Sequence, residues 1–111
     1  MNAVSLKYGT ALIQALKSSE FEIASIILNK RGIDVNHVTY DDGNNALHIL
    51  FSKFDENKEQ SAGIADRLIE LGIQTSHKNR NDMSALHLAI QNNQLEAVKY
   101  CTSRKEFDLN I

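Results

Sequence analysis

Proline is missing from all 111 residues, and cysteine occurs only once. Without proline, no helix gains the pre-organised backbone angle that proline supplies at the first helical position. One cysteine rules out an intrachain disulfide, so nothing demands an oxidising compartment. The cytoplasm, with the nucleus as second choice, is the expected location. No apolar run approaches the roughly 18 residues that a membrane-spanning helix needs, so no membrane partner is expected. The opening Met1-Asn2-Ala3-Val4-Ser5-Leu6 has no basic stretch leading into an apolar core, and no glycine follows Met1. Neither a signal peptide nor an N-myristoyl anchor is expected from it. Net charge is only −2, which leaves the chain without the electrostatic footprint of a nucleic-acid binder.

What remains is an ordinary globular composition, 42% hydrophobic and 23% charged, arranged with an internal repeat. Three segments superpose: Tyr8-Gly9-Thr10-Ala11-Leu12-Ile13, Gly43-Asn44-Asn45-Ala46-Leu47-His48 and Asp82-Met83-Ser84-Ala85-Leu86-His87. The spacing is 35 residues from Thr10 to Asn45 and 39 from Asn45 to Ser84. A second set follows in the same order: Gly32-Ile33-Asp34-Val35-Asn36, Gly72-Ile73-Gln74-Thr75-Ser76 and Glu106-Phe107-Asp108-Leu109-Asn110. Thr10, Asn45 and Ser84 each precede an Ala-Leu pair and are good helix N-caps. Ser19 and Asn93, each with a glutamate three positions on, read as capping boxes for second helices. Ile23, Ile26, Ile27 and Ile64, Leu68, Ile69 supply apolar faces at helical spacing. Gly32 and Gly72 follow these helices, where a left-handed residue is needed to end them. The pattern predicts paired helices over about 11–18 and 21–30, 46–54 and 61–71, and 85–92 and 95–104.

These landmarks resemble the ankyrin repeat family, whose pattern is Gly-x-Thr-Pro-Leu-His-x-Ala, two helices, then Gly-Ala-Asp-Val-Asn. Ser84-Ala85-Leu86-His87-Leu88-Ala89 and Gly32-Ile33-Asp34-Val35-Asn36 are the best matches. The resemblance implies an all-α helical solenoid of paired antiparallel helices joined by finger-like β-turns. It divides residues 1–111, as a single array, into repeats of about 7–39, 40–78 and 79–111. The copy departs from the pattern in several places. Alanine stands for proline throughout, Ile13 for the first histidine, and Leu50-Phe51 for two alanines, which predicts wider helix spacing in the second repeat. Against a period of about 33 residues, extra residues fall near Asn29-Lys30-Arg31 and in Thr39-Tyr40-Asp41-Asp42. About six more fall in Phe54-Asp55-Glu56-Asn57-Lys58-Glu59-Gln60. Asn57 with Gln60 fits a capping box that starts the following helix early; a plain polar loop fits the same residues.

The chemistry-bearing residues favour structural roles. His48 and His87 occupy equivalent positions about 8–10 Å apart, too far to share a metal that each must approach to about 2 Å. The resemblance implies hydrogen bonds within the turn and to the next repeat instead. His37 and His77 are likewise one repeat apart. Cys101 aligns with Ile27 and Leu68, an apolar slot that suits a buried thiol better than a nucleophile. The carboxylates of Asp41-Asp42 and of Asp55, Glu56 and Glu59 fit solvated surface. No catalytic constellation or phosphate loop is found, so no enzyme activity and no cofactor or metal are expected.

The resemblance implies that another protein docks on the concave side, formed by the fingers and the first helices. Carried over by position, this surface is His37, Tyr40, Asp41, Asp42, His77, Lys78, Arg80 and Asp82 of the fingers. From the helices it takes Ile49, Lys53, Met83, Leu88, Gln91 and Asn92. Tyr40 and Arg80 are the expected anchors, since tyrosine and arginine dominate binding hot spots. Packing of Tyr40 on the neighbouring finger is the competing reading. The fingers mix Asp41-Asp42 with Lys78 and Arg80, which favours a partner segment of mixed charge. Two other roles fit: a segment of a longer array or assembly, and a targeting arm for an enzyme elsewhere. Terminal repeats carry polar outer faces, yet Tyr100, Cys101 and Phe107 lie near the C-terminal end. Self-association or further repeats there would cover them.

Overall fold

The computed structural model describes residues 3–30 and 32–104, with residues 3–9 described by their backbone alone. The expected third inter-repeat element at Glu106–Asn110, with Phe107, lies outside the described residues, as does Arg31. Among the described residues six α-helices follow in order: α1 (Ala3–Lys17), α2 (Phe21–Leu28), α3 (Ala46–Phe51), α4 (Lys58–Glu70), α5 (Ala85–Gln91) and α6 (Leu95–Thr102), with a 3₁₀ turn over Phe54–Glu56. Among the described residues there is no strand. Consecutive helices pair as α1/α2, α3/α4 and α5/α6. First helices then stack along α1, α3 and α5, and second helices along α2, α4 and α6.

Two predicted caps form as expected. The Asn45 side chain accepts from the His48 N–H and the Ser84 hydroxyl from the His87 N–H, while each histidine accepts from its cap residue's N–H. Thr10 is different. Ala3 to Lys7 are good helix formers or tolerated ones and no proline intervenes, so α1 runs straight through Gly9-Thr10 instead of starting there. Ser19 and Asn93 also change role. Both adopt left-handed backbone angles, φ +58° and +57°. Ser19 N–H donates to the Leu16 carbonyl and Glu20 N–H to Ala15; Asn93 and Gln94 repeat this with Ile90 and Ala89. These paired bonds end α1 and α5 in the Schellman manner. The caps of α2 and α6 are therefore Glu20 and Gln94, neither of which makes a side-chain capping bond. Gly72, at φ +91°, ends α4 as predicted, with its N–H donating to the Ile69 carbonyl and the Ile73 N–H to Leu68, whereas Gly32, at φ +73°, lies beyond the Asn29 cap that ends α2.

The inserted segment resolves into structure and not loop. Asn57 Oδ1 accepts from the Gln60 N–H, so α4 starts at Lys58. The preceding 3₁₀ turn buries Phe54, which meets Phe51 edge-on at 5.7 Å and Tyr100 at 5.5 Å between ring centres. Asp55 ties the insertion to the third pair: its N–H donates to Gln94 Oε1, and its carboxylate accepts from the Glu96 N–H. The core runs the length of the stack, through Leu12, Leu16 and Phe21, then Leu47, Leu50, Phe51, Ile64 and Leu68, to Ala85, Ala89, Ala97 and Cys101.

Candidate functional site

Among the described residues two fingers project between the helix pairs, and each is built by its own short bonds. In the first, Thr39 N–H donates to the Asn44 carbonyl at 2.8 Å and Gly43 N–H to the Thr39 carbonyl at 3.1 Å. Gly43 takes φ +69° here, and a Cβ on it would meet Arg80 Cγ at 3.3 Å. In the second, Asn79 N–H donates to the Met83 carbonyl at 3.0 Å, and Asn79 Oδ1 accepts from the Asn81 and Met83 N–H groups.

The fingers are then clamped to one another. Arg80 N–H donates to the Asp42 carbonyl at 2.9 Å, and Arg80 Nη2 to the Tyr40 carbonyl at 2.9 Å. His77 Nε2 donates to the Gly43 carbonyl at 2.9 Å, and Asn79 Nδ2 to Asn44 Oδ1 at 2.8 Å. Beneath them His48 Nε2 donates to the Met83 carbonyl at 2.8 Å, joining α3 to the second finger. A carbonyl only accepts, so both rings carry their proton on Nε2. The His48 and His77 rings lie edge to face at 5.6 Å, a pairing that matching equivalent positions did not reveal. Burial holds the His48 pKa below its ordinary value, helped by His77 and opposed by the Met83 carbonyl.

This network redistributes the predicted contact residues. Tyr40 stands 95% exposed, so its ring does not pack on the neighbouring finger. Asp41 is also exposed and accepts from the Asp42 N–H, which lowers its pKa. Lys78 and Asp82 pair loosely at 3.8 Å in solvent, and Gln91 and Asn92 are exposed on α5. Ile49, by contrast, is buried in the core cluster, where an apolar side chain gains most from leaving water, so it offers no contact surface. Arg80 braces the fingers through backbone carbonyls, and Lys53 donates to Ser19 Oγ at 3.3 Å. Asp42 lends its carbonyl to the clamp. His77 and Met83 are half-buried within it, and Leu88 is half-buried on α5. His37 is half-buried as well. It lines a groove of about 390 Å³ with Tyr40 and Asp41 of the first finger and Ile13, Gln14 and Lys17 of α1. The contribution of α1 to this groove was missed, although Gln14 aligns with Ile49 and carried that signal.

Cys101 is fully buried, and burial pushes its thiol up to about 12. Among the described residues no three His, Cys, Asp or Glu side chains gather as metal ligands, and no helix is long and apolar enough to cross a membrane. Residues 50–100, from the end of α3 to α6, match the family model described as ankyrin repeats (many copies). The stacked helix pairs, the histidine-anchored turns and this match together identify an ankyrin repeat segment within a helical repeat solenoid, and ankyrin repeats are generally protein–protein interaction modules.

Proposed function

We propose that the chain is a non-catalytic interaction module that holds a segment of another protein along its concave side, across the two fingers and the exposed face of the first helices. The observation that carries this reading is the first finger. Tyr40 is almost wholly exposed beside a groove floored by Ile13, on a backbone clamped by Arg80 and Gly43. A rigid aromatic loses little entropy when it is covered, which is why such residues act as anchors. Asp41 and Lys17 border the same groove with opposite charge, which suits a partner of mixed charge. A buried free thiol is at home in the cytoplasm, where we place this activity.

The test uses a partner recovered by affinity purification from the native source. Tyr40→Ala should weaken its binding about tenfold or more while leaving melting unchanged, since the ring supports nothing else. Unchanged affinity would remove the concave face from consideration.

A further inference from the structure

Apart from Val38 and Tyr40 on the first finger, the exposed large apolar residues lie toward the two ends of the stack, and their repeat equivalents reveal which neighbour each position serves. Ile23, Ile64 and Ala97 are equivalent across the three pairs. Ile64 and Ala97 are buried, whereas Ile23 is 48% exposed. Ile27, Leu68 and Cys101 follow the same order, from half-buried to fully buried. These positions therefore look toward the preceding pair. On α1/α2 they form, with Ala11 and Ala15, an apolar groove of about 300 Å³.

The opposite trend marks the other end. Leu16, Phe51 and Ile90 are equivalent; the first two are buried and Ile90 is 59% exposed. Phe21 is buried where its equivalent Leu95 is 59% exposed. Leu86 and Val98 are half-buried where Leu12 and Ala24 are buried. On α5/α6 these residues look toward a following pair. Each end thus carries one half of the interface that the chain forms internally at α1·α3 with α2·α4 and again at α3·α5 with α4·α6.

We propose that copies of this chain associate end to end, with Ile90 and Leu95 of one copy seated in the Ala11–Ala15–Ile23–Ile27 groove of the next. A second copy is the occupant because both complementary halves lie on one chain, in the register of its own repeat. The contact is head to tail, so it does not close at two subunits. It lies away from the fingers and is independent of the concave-face reading. The junction is weaker than the α4·α6 contact in one respect. Between α4 and α6, Tyr100 Oη and Arg104 Nη1 both reach Asp66, at 2.6 and 2.8 Å. The equivalent register places Lys99 beside Ile26 and Lys30, so like charges meet where α4·α6 has an ion pair. Salt should therefore strengthen the association by screening them.

Sedimentation equilibrium of the 111-residue chain from micromolar to millimolar concentration tests this. The average mass should climb from 12.4 kDa past twice that value, more steeply at higher salt. Ile23→Glu and Ile90→Glu should each stay monomeric with unchanged helicity by circular dichroism. An equal mixture of the two should form a dimer and stop there, because it retains one intact junction. Leu95→Glu replaces Ile90→Glu should that variant lose helicity, and Tyr40→Ala should associate as the unmodified chain does. A monomer at all concentrations, an unmodified chain that stops at the dimer, or a mixture that fails to pair overturns the proposal.

Discussion

Removing the His48 side chain should weaken the whole stack, because one ring serves two helix pairs. Its Nδ1 accepts from the Asn45 N–H and its Nε2 donates to the Met83 carbonyl, with the residue 1% exposed. His48→Ala leaves these buried partners unsatisfied, at about 1–3 kcal/mol. It also removes buried volume, for which large-to-small changes cost about 2 kcal/mol or more. Roughly 4 kcal/mol in total would be a large share of the 5–15 kcal/mol expected of a small domain, and would lower melting by about 15–25 °C. His48→Phe keeps the volume and loses only the polar contacts, so about half the effect should remain. The sign of the pH dependence follows from the same burial. The folded pKa lies below the unfolded value near 6.5, so the unfolded chain binds more protons under acid conditions. Stability should hold above that pH, fall as pH drops below it, and level off beneath the folded pKa. His48→Phe should flatten that part of the curve. Urea titrations of the three proteins across this pH range supply the numbers. A loss below about 0.5 kcal/mol for His48→Ala would refute the assigned role of the ring, since that is the usual range of a surface change.

Other outcomes follow from the same contacts. Phe54→Ala empties the centre of the Phe51–Phe54–Tyr100 cluster and should cost about 3–5 kcal/mol in urea unfolding. A small effect would mean that the insertion is loosely attached. Gly43→Ala forces a Cβ into a left-handed position against Arg80 and should cost about 1 kcal/mol or more, read as a fall in melting temperature. Arg80→Ala should lower stability by about 1 kcal/mol through the lost Tyr40 carbonyl bond, so any fall in partner binding must be corrected for folding. Cys101 should resist iodoacetamide at pH 8 in the native chain and react once urea unfolds it.

Local signals made much of this architecture legible. Asn45 and Ser84 cap helices because their short side chains reach the next turn, and Gly72 ends α4 because glycine adopts that left-handed angle cheaply. The same local chemistry misled at Ser19 and Asn93. Small polar residues serve equally at helix starts and in left-handed positions, and only the Schellman bonds distinguish the two. Thr10 failed for a related reason, since a capping residue does not start a helix where the preceding segment is itself helical. The finger clamp was invisible because it is non-local: Arg80 and the Tyr40 carbonyl are forty residues apart, and a carbonyl leaves no trace in residue type. Ile49 was misplaced because a repeat position exposed at Gln14 on α1 is closed over in the middle pair.

Hydrogen–deuterium exchange with and without the purified partner tests the binding reading most directly. Protection on binding should concentrate in residues 38–42 and 78–82 and in Gln91 and Asn92, with Tyr40→Ala abolishing most of it. Protection confined to α2, α4 and α6, with the fingers unchanged, would contradict the concave-face account.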